Sequence, residues 1–166
     1  MAKWTLFAAL FSALFWGETF AQGFVSKHYD AENGLPVEYI YTLVQDDRGF
    51  LYLGTGSGLV RFDGAKFKTL TTADGLADDF ITACHKDKTG LIWLGHEGRV
   101  SMLTGSKLSA LPDTSSIRSR VIAIASDSYG DVWCASQRNG IFLIDSAKVL
   151  KNESNGISED MMVHSM

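Results

Sequence analysis

The stretch "GLIWLGHEGR", residues 90–99, sets His96 and Glu97 side by side between two glycines. An imidazole beside a carboxylate is the equipment of a general base or a metal ligand set. A zinc protease site needs a second histidine four residues after the first, on a helix. Here the following residues are Gly98, Arg99 and Val100, after a run of β-branched and aromatic residues that reads as strand. The other histidines do not supply the missing ligands: His28, His85 and His164 are scattered along the chain without metal spacing. Acidic pairs such as Asp46-Asp47, Asp78-Asp79 and Glu159-Asp160 sit where turns are expected, so they read as solvated hairpin caps. "GTGSG" at residues 54–58 precedes a strand, so no helix N-terminus is there to hold a phosphate. The chain shows no nucleophile elbow, P-loop or kinase motif, and the residues imply no cofactor.

What positions these residues is a repeat. "GFLYLG", "GLIWLG" and "GDVWCA" begin at Gly49, Gly90 and Gly130, 41 and 40 residues apart. An aspartate stands three residues ahead of each: Asp46, Asp87 and Asp127. Lys66, Lys107 and Lys148 fall 41 apart, and Gly34-Leu35, Gly75-Leu76, Ser116-Ile117 and Gly156-Ile157 form a further column. The first copy divides into strand-like pieces at about 40–45, 50–54, 59–63 and 66–71, bounded by turn formers. Each Asp-x-x-Gly step suits a tight hairpin, with the carboxylate bonding amides ahead of it and the glycine taking positive φ.

Four strands in about 40 residues is the pattern of a propeller blade, so the expected fold is all-β. About three blades and the start of a fourth are expected, at 34–74, 75–115, 116–155 and 156–166. A blade is covered on both faces by its neighbours, which explains strands that lack clean polar alternation. Tyr52, Trp93 and Trp133 then form an aromatic column between blades. Cys84 shares the column of Leu43 and Ile124, and Cys134 that of Leu53 and Leu94. The different columns favour two core thiols over a disulfide.

His96 shares a column with Thr55 and Ser136, and Glu97 with Gly56 and Gln137, in the turn between a blade's second and third strands. Turns on a rigid scaffold are where binding residues collect. His96, Glu97, Gln137 and Arg138 are therefore the loop candidates for contacting a ligand, with a structural turn as the simpler reading.

The repeated patterns "LVQDDRGFLYLGTGSGLVRFDG", "ACHKDKTGLIWLGHEGRVSMLTG" and "IASDSYGDVWCASQRNGIFLID" resemble the two-component regulator propeller repeat. The resemblance covers residues 34–166. It implies a periplasmic propeller that senses an extracytoplasmic ligand such as a glycan fragment and signals through a membrane helix to a kinase.

Residues 1–21 read as a signal peptide: Lys3 gives a positive start, residues 4–16 carry no charge, and Thr19-Phe20-Ala21 supplies small residues for cleavage. Residues 22–33 form an entry segment. Export places the chain in the periplasm or outside the cell, with a full-length form anchored at the inner membrane. The net charge of -4, without a basic block, excludes the phosphate-neutralising footprint of a nucleic-acid binder.

"NGISEDMMVHSM" restarts the repeat and stops inside the first strand of the next blade. The expectation is thus the N-terminal part of a sensor, completed by missing propeller blades or by self-association, binding a carbohydrate or other small ligand without catalysis. A secreted propeller lyase or hydrolase is the alternative.

Overall fold

The computed structural model describes residues 26–37, 39–145 and 148–151. The leader expected at 1–21 and the fourth unit expected at 156–166 lie outside them. Each repeat folds into one four-stranded antiparallel meander. The first holds β1 (Ile40–Gln45), β2 (Leu51–Thr55), β3 (Gly58–Phe62) and β4 (Phe67–Leu70) in chain order. The second holds β5 (Ala83–Lys86), β6 (Ile92–Gly95), β7 (Val100–Thr104) and β8 (Lys107–Ala110), and the third β9 (Val121–Ser126), β10 (Val132–Ser136), β11 (Gly140–Asp145) and β12 (Lys148–Lys151). The first strands lie side by side, β1 against β5 and β5 against β9, so the sheets stack as a propeller arc.

The first copy's strands all fall within a residue of the positions read from the repeat, the last losing one residue at each end. Asp63 accepts bonds from the amides of Ala65 and Lys66, which puts Lys66 in the turn, and Thr71 opens a 3₁₀ turn (Thr72–Asp74), so β4 is shorter than expected.

Register shows why the inner strands are apolar on both faces. In blade 2, Cys84 pairs with Leu94 and Ile92 with Leu103, and these side chains join Tyr52 and Leu59 of blade 1 in one buried cluster. Trp93 and Val100 emerge on the other face and join Ile124, Val132, Cys134, Phe142 and Ile144 of blade 3. The blades approach so closely that a Cβ at Gly95 would lie 2.6 Å from Val121 Cγ1, and one at Gly54 2.7 Å from Ile81 Cγ2. Gly95 is required by contact with the next sheet, and Gly54 by Thr42 of its own sheet together with Ile81 of the connector, rather than by turn geometry. The cysteines are both free, and they lie in different clusters, in keeping with the two-thiol reading.

The aspartate column does more than cap turns. Asp87 Oδ1 accepts from the amides of Thr89 and Leu91, while Oδ2 accepts from Trp93 Nε1 at 2.9 Å. Asp127 repeats the arrangement, with Tyr129, Gly130 and Asp131 amides on one oxygen and Trp133 Nε1 at 3.1 Å on the other. In blade 1 the Arg48 guanidinium occupies Asp46 Oδ2, and the Tyr52 hydroxyl reaches it only at 3.4 Å. Burial pushes the Asp87 carboxyl up, but the bonds from Thr89, Trp93 and the backbone outweigh it and hold the group below its usual range. For Asp127 the Trp133 bond is the largest influence, and it too is held low.

A buried bond to a charged acceptor contributes about 1.5–3 kcal/mol. Trp93→Phe strips the donor and trims the indole to a single ring, and is expected to cost at least that amount in urea unfolding at unchanged m-value. Tyr52→Phe should cost under about 1 kcal/mol, since Arg48 already satisfies Asp46. Equal losses would mean that packing, not the carboxylate bond, sets the column.

Candidate ligand site at the loop edge

Chain order places the turns between second and third strands, and the connectors between blades, on one edge of the arc. At the junction of blades 2 and 3 this edge brings together the β6–β7 turn, the connector before β9 and the β10–β11 turn. A strand-like bridge joins Glu97 to Arg120. The amide of Gln137 donates to the Arg120 carbonyl at 2.8 Å, and that of Arg138 to Ser119 Oγ at 3.1 Å. Ser119 in turn bonds the buried Ser136 hydroxyl at 2.7 Å. The turn is thereby pinned to the connector.

Between them lies a hollow of about 430 Å³. Three arginines line it, Arg118, Arg120 and Arg138, against one acidic residue, Glu97. Ser119, Gln137 and Asn139 complete the lining. Glu97 Oε2 meets Arg120 Nε at 3.0 Å, in an exposed pair that contributes little to stability. The side chains of Arg118 and Arg138 have no partner among the described residues, and Asn139 Oδ1 is a buried acceptor without a donor among them. A rigid wall with unpaired guanidinium forks is suited to a carboxylate, sulfate or phosphate group, which Arg can bind through two parallel bonds.

Three of the four loop candidates, Glu97, Gln137 and Arg138, meet at this hollow. His96 does not. It is 0% exposed, directly behind the turn. Its Nδ1 lies 3.2 Å from the Phe80 carbonyl, so that nitrogen donates, and Nε2 at 2.9 Å accepts from the Ser101 hydroxyl. Ser101 Oγ also accepts from the Ala77 amide. His96 thus fastens the connector at 77–80 to blade 2. Burial is the largest influence on it and lowers its pKa below 6.5, against the Phe80 bond, which raises it.

The sequence reading missed Arg118, Ser119, Arg120 and Asn139. Their signal lay in comparing connectors: Val121 donates to the His96 carbonyl as Ile81 does to that of Thr55. Counting back from those residues, Arg120 stands where Phe80 does, and Arg118 where Asp78 does. At the junction of blades 1 and 2, Asp78 and Asp79 are spent on the amides of Phe80 and Thr72. Phe80 there packs edge-on against Tyr41, with ring centroids 5.0 Å apart. One junction is acidic and filled, the next basic and hollow. Among the described residues, no three acidic, histidine or cysteine side chains converge to hold a metal, and no helix is long and apolar enough to cross a membrane.

The family model described as "Two component regulator propeller" matches residues 34–57, which run from the Gly-Leu column through the first hairpin. The fold is similar to the extracellular domain of a protein assigned as a hybrid two component system from B. thetaiotaomicron, at 22% identity and TM-score 0.58, over 69% of this chain and 17% of that one. It is similar also to the extracellular domain of a protein assigned as a one component system of the same organism, at 22% identity and TM-score 0.59, over 70% and 16%. Virginiamycin B lyase from Staphylococcus aureus shares the fold at 16% identity and TM-score 0.50, over 64% of this chain and 38% of the lyase. No curated protein sequence matches the chain. The chain thus spans about a sixth of the extracellular domains it resembles. The resemblance read from the repeats stands, and the fold is that of a partial β-propeller.

The buried neutral His96 gives a pH test. Its folded pKa is lower than the unfolded value near 6.5, so its contribution is complete above that pH and fades as pH falls toward the folded pKa. His85, whose pKa is also lowered chiefly by burial, adds to the slope. Stability should fall below pH 6.5 by up to about 1.4 kcal/mol per pH unit through His96, and by less through the more exposed His85. His96→Gln should flatten that slope by one proton's share in urea melts taken between pH 7.5 and 5. An unchanged slope would place the sensitivity elsewhere.

Proposed function

We propose that this chain is a ligand-binding arc of an extracytoplasmic sensor in a two-component signalling protein, and that it carries out no catalysis itself. The observation that carries the reading is the arginine-lined hollow on the loop edge. It is a preformed recess on a rigid scaffold, in which cationic groups stand without partners among the described residues. The match to the regulator propeller model and the likeness to extracellular domains of signalling proteins support the sensor role. The uncharged run at residues 4–16 behind Lys3 supports export to the periplasm or beyond.

The ligand is a small carbohydrate fragment bearing an acidic group. Its carboxylate or sulfate lies between Arg118 and Arg138, with Gln137 and Asn139 available to hydroxyls. Binding draws the connector of blade 3 and the β10–β11 turn together, since each contributes one of the two free arginines. Asp46, Asp87 and Asp127 hold turns, and Asp78 and Asp79 hold the neighbouring connector, which leaves Glu97 as the one acidic residue on the hollow, in an ion pair with Arg120. In the whole protein, a membrane anchor and an output kinase relay the event.

The test is calorimetric titration of the chain with uronate-terminated oligosaccharides, neutral oligosaccharides of the same length and inorganic sulfate. Uronate binding that weakens with salt and falls at least tenfold in both Arg118→Ala and Arg138→Ala is the expected result. Binding of the neutral sugars that ignores both substitutions would overturn the anionic site.

A further inference from the structure

Beside the arginine hollow the loop edge turns aromatic. Arg120, which lines the hollow and pairs with Glu97, also lays its guanidinium over the Phe80 ring, with Cζ 5.1 Å from the ring centroid. Phe80 in turn meets Tyr41 edge-on, at 5.0 Å and 69°. A cation and two aromatic rings thus run in contact from the junction of blades 2 and 3 to that of blades 1 and 2.

Each ring is held in place. The Phe80 amide donates to Asp78 Oδ1 at 2.8 Å and the Phe80 carbonyl accepts from His96 Nδ1 at 3.2 Å, so the backbone behind the ring is fixed on both sides. Tyr41 is the extra residue of a β-bulge: Ile40 pairs with Thr55 and Thr42 with Gly54, which leaves Tyr41 without a counterpart on β2. A bulge re-aims the side chain it carries. Here it turns the Tyr41 ring to the connector between blades 1 and 2, where Tyr41 stays 52% exposed. In blade 3 the bulge falls on Ile122, and in blade 2 the same place holds Thr82, whose hydroxyl is spent on the Gly95 and Val121 carbonyls. Of the three positions, 41 alone offers an aromatic face.

Gly56 keeps the space beside the rings clear. Its column mates Glu97 and Gln137 line the hollow with side chains, whereas a Cβ at Gly56 would lie 3.4 Å from Phe80 Cδ2 and 3.9 Å from Tyr41 Cε2. A longer side chain there would lie against the pair.

We propose that the Tyr41 ring, backed by Phe80, is a second subsite of the arginine hollow: a stacking platform for a neutral sugar unit joined to the acidic one. This rests on the reading of the hollow as an acid-sugar site and extends it, because the ligand becomes an oligosaccharide that spans two junctions. The chemistry fits. A pyranose presents an apolar face of C–H bonds, and an aromatic ring presents to it a face of negative quadrupole. Arg120 stands between the two subsites with its side chain 42% exposed, so its guanidinium is within reach of the sugar hydroxyls. Arg118 and Arg138 recognise a charge whatever carries it. The platform supplies selection for the chain attached to that charge.

The test titrates the full chain, by calorimetry, with free glucuronate and with trisaccharides that carry glucuronate at either end of two neutral pyranoses. The better trisaccharide should bind at least tenfold more tightly than glucuronate, because the second contact is intramolecular once the acid is seated. Tyr41→Ala should bring that ratio to about one, Tyr41→Trp should keep it, and Arg118→Ala should weaken both probes together. A ratio near one in the unaltered chain, or a ratio that survives Tyr41→Ala, would overturn the platform while leaving the hollow in place. Trisaccharide binding that responds to Tyr41→Ala but not to Arg118→Ala would separate the two sites and overturn the joined ligand. If neither probe binds, hollow and platform fall together.

Discussion

The carboxylate of the Asp-x-x-Gly turn carries the architecture, because one group solves two problems at once. One oxygen satisfies the amides that the tight turn leaves unpaired. The other receives the indole N–H of the tryptophan six residues on, whose ring lies between sheets and whose polar atom would otherwise be buried without a partner. Turn, second strand and inter-blade packing are thus set by a single side chain. The pairing also explains why the acid and the aromatic recur at fixed spacing while the residues between them vary. Where the aromatic is Tyr52, whose hydroxyl is a weaker claimant, an arginine takes the carboxylate and extends to the Gly105 carbonyl of the next blade.

With that framework constant, the loop edge is free to diverge. The same three segments meet at each junction, yet one is closed by Phe80 and satisfied aspartates and the other is open and lined by arginines. His96 belongs to the framework rather than to the recess. Its two nitrogens are consumed in joining connector to blade, and its neutrality follows from burial. The recess begins one residue later, at Glu97, where the chain reaches solvent. A binding surface and a load of structural hydrogen bonds therefore share a turn without sharing atoms.

The fold was legible in the sequence because its period is long, its turn residues are chemically distinctive, and each blade is local in the chain. The positions of Asp87, Gly90 and Trp93 were enough to place β5 and β6. The bond from Trp93 to Asp87 was not legible, since spacing gives proximity along the chain but not which oxygen an indole meets. The site was half legible for a similar reason. Glu97, Gln137 and Arg138 lie in turns that the repeat locates. Arg118 and Arg120 lie in a connector whose length differs between copies, so that only the hydrogen bonds of Ile81 and Val121 align it. His96 misled because a histidine beside a glutamate in a turn looks accessible, and burial is a property of the neighbouring connector.

The meander topology also fixes an order of events in time. Every sheet pairs strands adjacent in the chain, and hairpins form in about 1–10 μs. A ribosome delivers roughly 5–20 residues per second, so each 41-residue repeat takes about 2–8 s to emerge. Each blade can therefore be complete before its successor exists. Of the three blades described, blade 1 emerges first, and its leading face, with Leu43 in the open, is the surface that no later blade of this arc comes to cover. For the nascent chain the hazard lies in the waiting time of that face rather than in the final free energy.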